Sequence, residues 1–482
     1  MPPEAGTLRR HDWAWLKPEA LTACRELEAE DRTFLQKWVD SGRPLVVARR
    51  NAPHALRLGV TRPEPGPRRR VGVTVAPDCI LRSMPPLALA DVVRHAPPAW
   101  HPTLRALQRL ARCHAVDIRV YGSLALQYFS PQPCLNADSD LDLLLEPRPA
   151  GALEPFLAAL ARLQARHPLP RMDGEVRRGD WAVPWRELAT ALHAGGWVLA
   201  KSDQGLTLQR EPGLPGRVAR AAVRALHQEL MLAPKPGLVS PRDNGAHVDM
   251  QPALFLKSLF SLRHYFARVA EAGAQGASFA PLQALGRQAE VRMMQATDGV
   301  NTHRGAIFHL GLMAAAAGAC PGADAPTLCR HIAQHWGRDI LASAGEHVPH
   351  ASHGRWVTQR YGLGGARCQA AAGFPVLLEQ GLPLYRRVLG ATGAADRAAL
   401  AAFLAMMAVL DDSNLVWRGG LAGLRFAQSG AARLLADEAW RHPDWPARVE
   451  ALHRQFVARH LSPGGSADLL ALLLLLREIA CD

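Results

Sequence analysis

Lysine is scarce in this chain: five of the 56 basic residues are lysine and the others are arginine. A site that needed only positive charge had arginine at hand, so each lysine asks for its own reading. Cysteine is sparse and scattered. The eight cysteines form no Cys-x-x-Cys pair, which argues against a structural zinc site or a disulfide framework and for reduced thiols. Long apolar runs are missing too. The longest, Leu469 to Leu476, falls far short of the ~20 residues that span a bilayer, and "MPPEAGTLRRHDWAW" lacks the apolar core of a secretory leader. No internal repeat is present. The expectation is a cytoplasmic protein with no membrane partner.

What is there is enough to bury real cores. Apolar residues make up 48% of the 482, a length that suits about two to four domains. The net charge of +13 is spread over both halves, whereas a nucleic-acid binder concentrates charge in a stripe. Polyphosphate substrates or an acidic protein partner fit that balance, and no nucleic acid is expected.

Up to about residue 210 the chain mixes types. "RPLVVARR" (43–50), "RVGVTVAP" (70–77) and "VDIRVYG" (116–122) read as strands, and "PFLAALARLQARH" (155–167) has helical spacing. "REPGLPGR" (210–217), with two Pro and two Gly, reads as a linker. Beyond it nearly every apolar pattern has helical period. The expected fold is α+β in the N-terminal half and all-α in the C-terminal half. The expected divisions are 1–110, an α/β subdomain; 111–209, a catalytic domain; 210–217, the linker; and 218–482, the helical domain.

Within "YGSLALQYFSPQPCLNADSDLDLLLEP" (121–147), Asp140 and Asp142 sit two apart on a strand. Residues i and i+2 point the same way, roughly 7 Å apart at Cα. Facing carboxylates repel unless a cation lies between them. Mg²⁺ resolves the conflict, since it favours one or two carboxylates plus substrate phosphates, and paired ions clamp a phosphoryl displacement. Upstream, Gly122 and Ser123 follow a strand and open a helix, whose free N–H groups suit a phosphate. "RMDGEV" offers Asp173 and Glu175 on one face, with Asp173 favoured as third ligand or base. Taken alone, Asp-x-Asp is most often a solvated strand end.

Gly-Ser, a gap, then Asp-x-Asp resembles the polymerase-β-like nucleotidyltransferase superfamily. "LRRHDWAWL", "RPLVVARR", "RVGVTV", the Gly-Ser and Asp-x-Asp segment and "DGEVRRGDWAVPWREL" together resemble the malonate decarboxylase holo-acyl-carrier-protein synthase, or phosphoribosyl-dephospho-CoA transferase, over residues 8 to 205. The resemblance implies that an acyl-carrier serine attacks the α-phosphate of a triphosphoribosyl-dephospho-CoA and pyrophosphate leaves. It implies phosphate contacts for Gly122, Ser123 and Lys201, Mg²⁺ on Asp140 and Asp142, and the apo acyl-carrier subunit of malonate decarboxylase as partner.

Three later segments hold more polar residues than a helical core requires: "HQELMLAPKPGLVSPRDNGAHVDM" (227–250), "EVRMMQATDGVNTHRGAIFHLG" (290–311) and "DDSNLVWRGG" (411–420). Lys235 lies between prolines on a stiff loop. Asp249 precedes a helix, where a cap is the ordinary role. Asn301, His303 and Arg304 stand before another helix, a natural anion site. Zinc is not expected, for want of ligand spacing.

Together these segments resemble the triphosphoribosyl-dephospho-CoA synthase family from about residue 220 to 425. That implies ATP and 3′-dephospho-CoA as substrates and adenine as a product. The departing base needs a proton, the attacking hydroxyl a base, and the triphosphate cations. The resemblance assigns metal or base roles to Glu229, Asp249, Glu290 and Asp412, and phosphate contacts to Lys235 and Arg304. His247, Asn301, His303 and Asn414 orient substrate, and Lys257 reaches the same pocket. Arg355, Cys368 and Gln369 depart from the family pattern near Gly354 and Arg367. The reading is a fusion of two consecutive transferases. The alternatives are a nucleotidyltransferase that adenylylates another substrate and an inactive scaffold that binds a carrier protein.

Overall fold

The computed structural model describes residues 8–21, 27–48, 55–63, 69–136, 138–148, 153–203, 205–343 and 353–480, with the side chains of 353–355 outside that description. The chain forms two compact units, Met1–Gly213 and Leu214–Asp482.

The first unit holds two sheets. The strands β1 (Trp13–Leu16), β2 (Leu45–Val47), β3 (Leu56–Thr61), β4 (Arg70–Val75) and β5 (Ile80–Met84) pair antiparallel in the order β4-β3-β2-β1-β5, and α1 (Ala29–Asp40) lies between β1 and β2 in sequence. Strand β4 alternates strictly, with Val71, Val73 and Val75 inward, as a sheet with one wet face requires. Both tryptophans of β1 are buried and pack on Phe129.

The second sheet runs from β6 (Leu87–Ala88) through α2 (Leu89–Val92), α3 (His101–Cys113), β7 (Val116–Tyr121), α4 (Gly122–Phe129), β8 (Leu141–Pro147), α5 (Leu153–Arg166), β9 (Met172–Arg178), β10 (Trp181–Pro184), α6 (Trp185–Ala194) and β11 (Gly196–Lys201) to β12 (Leu206–Glu211). Its order is β12-β11-β10-β9-β8-β7-β6. Only β8 and β9 pair parallel, because α5 supplies the long crossover that a parallel pair needs. Strand β8 is covered on both faces, with Leu141, Leu143, Leu144 and Leu145 fully buried. Its register sets Asp142 opposite Tyr121 of β7 and opposite Asp173 of β9.

Two sequence-based boundaries shift. Residue 110 falls inside α3, while the second sheet already begins at β6. Of the stretch 210–217, only Pro212 and Gly213 lie outside regular structure, because β12 runs to Glu211 and the next helix starts at Leu214.

The second unit is helical: α7 (Leu214–Met231), α8 (Pro252–Ser261), α9 (Arg263–Ala274), α10 (Phe279–Ala296), α11 (Arg304–Ala319), α12 (Ala325–Ala342), α13 (His353–Tyr361), α14 (Gly365–Ala371), α15 (Leu382–Thr392), α16 (Ala395–Val409), α17 (Ser413–Leu435), α18 (Trp445–Ala458) and α19 (Gly464–Ile479). At its centre α11 is buried almost all round. It lies so close to α9 that a β-carbon at Gly273 would fall 1.9 Å from the Ala315 carbonyl oxygen. Among the described residues no single helix is long and apolar enough to cross a membrane.

Candidate active sites

In the first unit the corner between β7 and α4 positions the chemistry. Gly122 has φ +68°, and a β-carbon there would meet Asp142 Oδ2 at 1.9 Å. The bare backbone therefore lets the carboxylate sit against the start of α4, where free N–H groups face an anion. Asp173, the β9 neighbour of Asp142, accepts a hydrogen bond from the Gly174 N–H at 2.8 Å. Asp140 lies just before β8 and is held by Arg171 through two hydrogen bonds, with Arg171 Nε donating to Oδ1 at 2.8 Å. The Arg171 guanidinium also feels the charges of Asp173 and Asp142. A cation thus already stands among the three carboxylates, which is the electrostatic condition that a divalent ion would meet.

Glu175 does not join that group. Buried at 7% side-chain exposure, it takes ion pairs from Arg10 and from Lys201 Nζ at 2.9 Å, and His11 Nε2 lies 3.5 Å away. Burial alone would raise its carboxyl pKa, but His11, Arg10 and Lys201 outweigh burial and bring it down to about 2. Lys201, expected on phosphate, is instead committed to this carboxylate. Tyr121 stacks on His11 with ring centroids 3.9 Å apart. Burial and the charges of Glu175, Asp142 and Asp173 keep its phenol protonated.

A cavity of about 400 Å³ opens here. Gly122, Ser123, Asp142, Tyr121 and Leu126 line one side, and Arg10, His11, Val47, Thr61 and Arg70 line the other. The five-stranded sheet thus gives a basic wall facing the carboxylate, and the volume suits a small-molecule site.

The second unit builds its site where three helices begin. Asp412 caps α17 by accepting from the Asn414 N–H at 3.0 Å, and it also accepts from the Ser466 N–H and hydroxyl in the first turn of α19 at 2.9 and 3.0 Å. Asp468, also on α19, accepts from the Ala306 N–H at the start of α11. It lies so near that helix that a β-carbon at Gly305 would sit 1.8 Å from its Oδ2. The positive ends of three helices therefore converge on two carboxylates, Asp412 buried and Asp468 partly so. Burial and the charges of Asp412 and Glu229 still push the Asp468 carboxyl well above its ordinary range. Glu229 is paired with the fully buried Lys235, whose Nζ donates to Oε1 at 2.5 Å. Desolvation lowers the lysine's pKa and Glu229 opposes it.

Around this core stand most of the other expected residues. His303 hydrogen-bonds Ser258 Oγ through Nδ1 at 2.6 Å, and burial beside Lys235 brings its pKa down to about 3. The Arg304 N–H donates to Asn301 Oδ1 at 3.3 Å, and the Arg304 side chain pairs with Glu290 at 3.2 Å. Asn414 Nδ2 would lie 2.3 Å from a β-carbon at Gly464. His247 contacts Ser462 Oγ at 2.8 Å and Arg418 at 3.1 Å. Asp249 caps no helix: it is 59% exposed and lies 4.0 Å from His247. Lys257 is exposed on α8.

Two expectations need correction. Lys235 does lie on a loop, but its ammonium is sealed against Glu229 rather than open to a phosphate, because an ammonium buried at 0% exposure needs a carboxylate. The carboxylates assigned to metal in this unit do not converge as they stand: Glu229, Glu290 and Asp412 are each engaged by a lysine, an arginine or helix donors. Among the described residues, no three His, Cys, Asp and Glu side chains are grouped for a metal ion. Of the departures near Arg367, the side chain of Arg355 lies outside the described residues. Cys368 is exposed, and Gln369 accepts from the Val376 N–H at 3.3 Å, so it closes a turn.

Sequence reasoning missed Asp468, Ser466, Arg171 and His11. A signal for the first two was present: "PGGSAD" places a turn and a carboxylate ahead of the apolar run 469–476.

Family models match the chain along both units. The model of the ATP:dephospho-CoA triphosphoribosyl transferase family matches residues 215–481. Those of the N-terminal and C-terminal domains of the phosphoribosyl-dephospho-CoA transferase MdcG match residues 9–86 and 88–212. A probable 2-(5''-triphosphoribosyl)-3'-dephosphocoenzyme-A synthase of Pseudomonas putida is 43% identical over 268 residues, 55% of this chain and 94% of that protein. One from Acinetobacter calcoaceticus is 41% identical, over 55% of this chain and 91% of its own. The synthase of Klebsiella pneumoniae is 41% identical, over 53% and 88%. No solved structure matches. This chain belongs to the ATP:dephospho-CoA triphosphoribosyl transferase family and carries, ahead of that domain, both domains of the MdcG phosphoribosyl-dephospho-CoA transferase.

Proposed function

We propose that the two units catalyse consecutive steps in making the prosthetic group of malonate decarboxylase. Residues 214–482 form the synthase. The ribose 2′-hydroxyl of 3′-dephospho-CoA attacks C1′ of the ATP ribose, the glycosidic bond breaks, and adenine leaves with a proton. Residues 9–212 form a transferase with a polymerase-β-like nucleotidyltransferase fold. A serine of the apo acyl-carrier subunit attacks the α-phosphorus of the product, and pyrophosphate leaves. The observation that carries this reading is Asp142, set by register beside Asp173 and against Gly122, on a cavity that also holds Ser123, Arg10 and Arg70.

Asp142 and its β9 neighbour Asp173 would hold Mg²⁺ in the first site, with Asp140 joining once released from Arg171. In the second, Glu229 and Asp412 are engaged by Lys235 and by helix donors, and no metal role is assigned to them. The fit in the first site rests on charge: the Arg171 guanidinium, held by Asp140, also feels Asp142 and Asp173, the position a divalent ion would take. When bound, Mg²⁺ supplies neutralisation of carboxylates and polyphosphate. Gly122 and Ser123 offer N–H donors to the α-phosphate, and Arg70 faces the leaving pyrophosphate. In the helical unit Arg304 and the start of α11 face the triphosphate, while His303, His247, Asn301 and Asn414 orient the two nucleotides.

Mass spectrometry of apo-carrier protein incubated with the chain, ATP, Mg²⁺ and dephospho-CoA tests the scheme. Carrier modification and free adenine are expected. Asp142→Asn keeps adenine release and leaves the carrier unmodified. Pyrophosphate without adenine would instead mark adenylylation and refute the first step.

A further inference from the structure

The turn before β1 brings one residue to the cavity that no expectation covered. His11 lines it together with Gly122, Ser123 and Asp142. Its φ is 76°, the left-handed region that costs a residue with a β-carbon. Such strain persists only where surroundings over-determine it and clusters at functional sites. The surroundings here are specific. The His11 N–H donates to the Val47 carbonyl at 2.9 Å, and the Arg9–Asp12 turn closes at 3.1 Å. The ring lies flat on Tyr121, with an interplanar angle of 25°. Since Tyr121 immediately precedes Gly122, the stack holds the imidazole over the strand–helix corner. Nε2 faces Glu175 Oε2 at 3.5 Å without an aligned hydrogen bond. The charges around the ring are Glu175, Arg10 and Arg177.

We propose that His11 is the general base of the transfer step, an inference that rests on reading the first unit as the transferase. The carrier hydroxyl oxygen forms its bond to the α-phosphorus, and the bond to pyrophosphate breaks with its electron pair. The hydroxyl proton passes to His11 Nδ1, the nitrogen not turned to Glu175. Glu175, held by Arg10 and Lys201, then faces the new imidazolium and stabilises it. Tyr121 fixes the ring plane. Asp173 is left as a ligand, since its Oδ1 already accepts from Gly174.

The test supplies the full chain with purified triphosphoribosyl-dephospho-CoA, Mg²⁺ and apo-carrier, and follows pyrophosphate release. His11→Ala and His11→Gln are compared with Asp142→Asn. General-base loss lowers kcat by about 10²- to 10⁴-fold, with KM for the precursor within about threefold of the parent. Added imidazole restores part of the His11→Ala rate and none of the Asp142→Asn rate. His11→Gln keeps size and polarity and carries the test if the alanine variant misfolds. A His11→Gln rate within about threefold of the parent, or a loss carried by KM alone, overturns the inference. Full activity in Asp142→Asn would refute the transferase reading itself.

Discussion

Replacing Gly122 by alanine separates backbone strain from damage to the site. The residue has φ +68°, and the new β-carbon would lie 1.9 Å from Asp142 Oδ2 and 2.6 Å from Asp142 Cγ. Left-handed backbone costs an alanine about 1–2 kcal/mol, partly offset by about 0.4–1 kcal/mol from the stiffer unfolded chain. Gly179 is the matched control, with φ +61° and nothing within 4 Å of an added β-carbon. Gly179→Ala therefore loses up to about 1.5 kcal/mol, read by urea unfolding, and keeps its transfer rate. Gly122→Ala bears the same strain, and it must also drive the carboxylate oxygen away by about 1.5–2 Å to reach ordinary contact distance. Misplacement on that scale costs about 10²-fold in rate. The assay is pyrophosphate release from purified precursor and apo-carrier, with adenine release from ATP as the internal standard. A Gly122→Ala enzyme that transfers at the rate of Gly179→Ala would refute the claim that Asp142 works from its seat against α4.

Four further outcomes are expected. Lys235→Met strands Glu229 in the core and costs about 3–5 kcal/mol in urea unfolding, while adding Glu229→Gln recovers much of the loss. Glu175 has a folded pKa depressed to about 2. Its contribution, about 3 kcal/mol, is therefore full above its unfolded value near 4.5 and lost as pH falls toward 2. Acid unfolding of Glu175→Gln should accordingly flatten between about pH 5 and 2 relative to the parent. Asp468→Asn removes a carboxyl that burial and its neighbours disfavour, so thermal stability at pH 8 holds or rises while adenine release falls. Arg171→Gln uncovers Asp140 and raises Mn²⁺ affinity in calorimetry without nucleotide by about two- to fivefold, the modest change expected for an exposed pair.

Several of these sites were legible in the residues and several were not. Asp142 was legible because Gly-Ser after a strand and a carboxylate on the next strand are local patterns. The helical unit was legible from period alone. Glu175 was visible as a carboxylate beside Asp173, yet its partner Arg10 lies 165 residues away, a pairing that only the closed fold creates. Strand β12 escaped because Leu206 and Leu208 face solvent at 53% and 64% exposure, so its alternation marks no core, although Val198 and Ala200 of its partner β11 are fully buried. Asp468 sat in plain view and was absorbed into an apolar helix. Its meaning comes from α11 and α17, whose first turns reach it through space. Scarcity did mark Lys201 and Lys235. Each proved to be the partner of a buried glutamate, where the compact ammonium differs from a forked guanidinium.

The helical unit draws Glu229 from its first helix and Asp468 from its last. Joining such distant segments is entropically slow. A ribosome-bound chain lacking α19 would accordingly have no competence for nucleotide, and ligand should shield α19 from hydrogen–deuterium exchange as firmly as it shields α7.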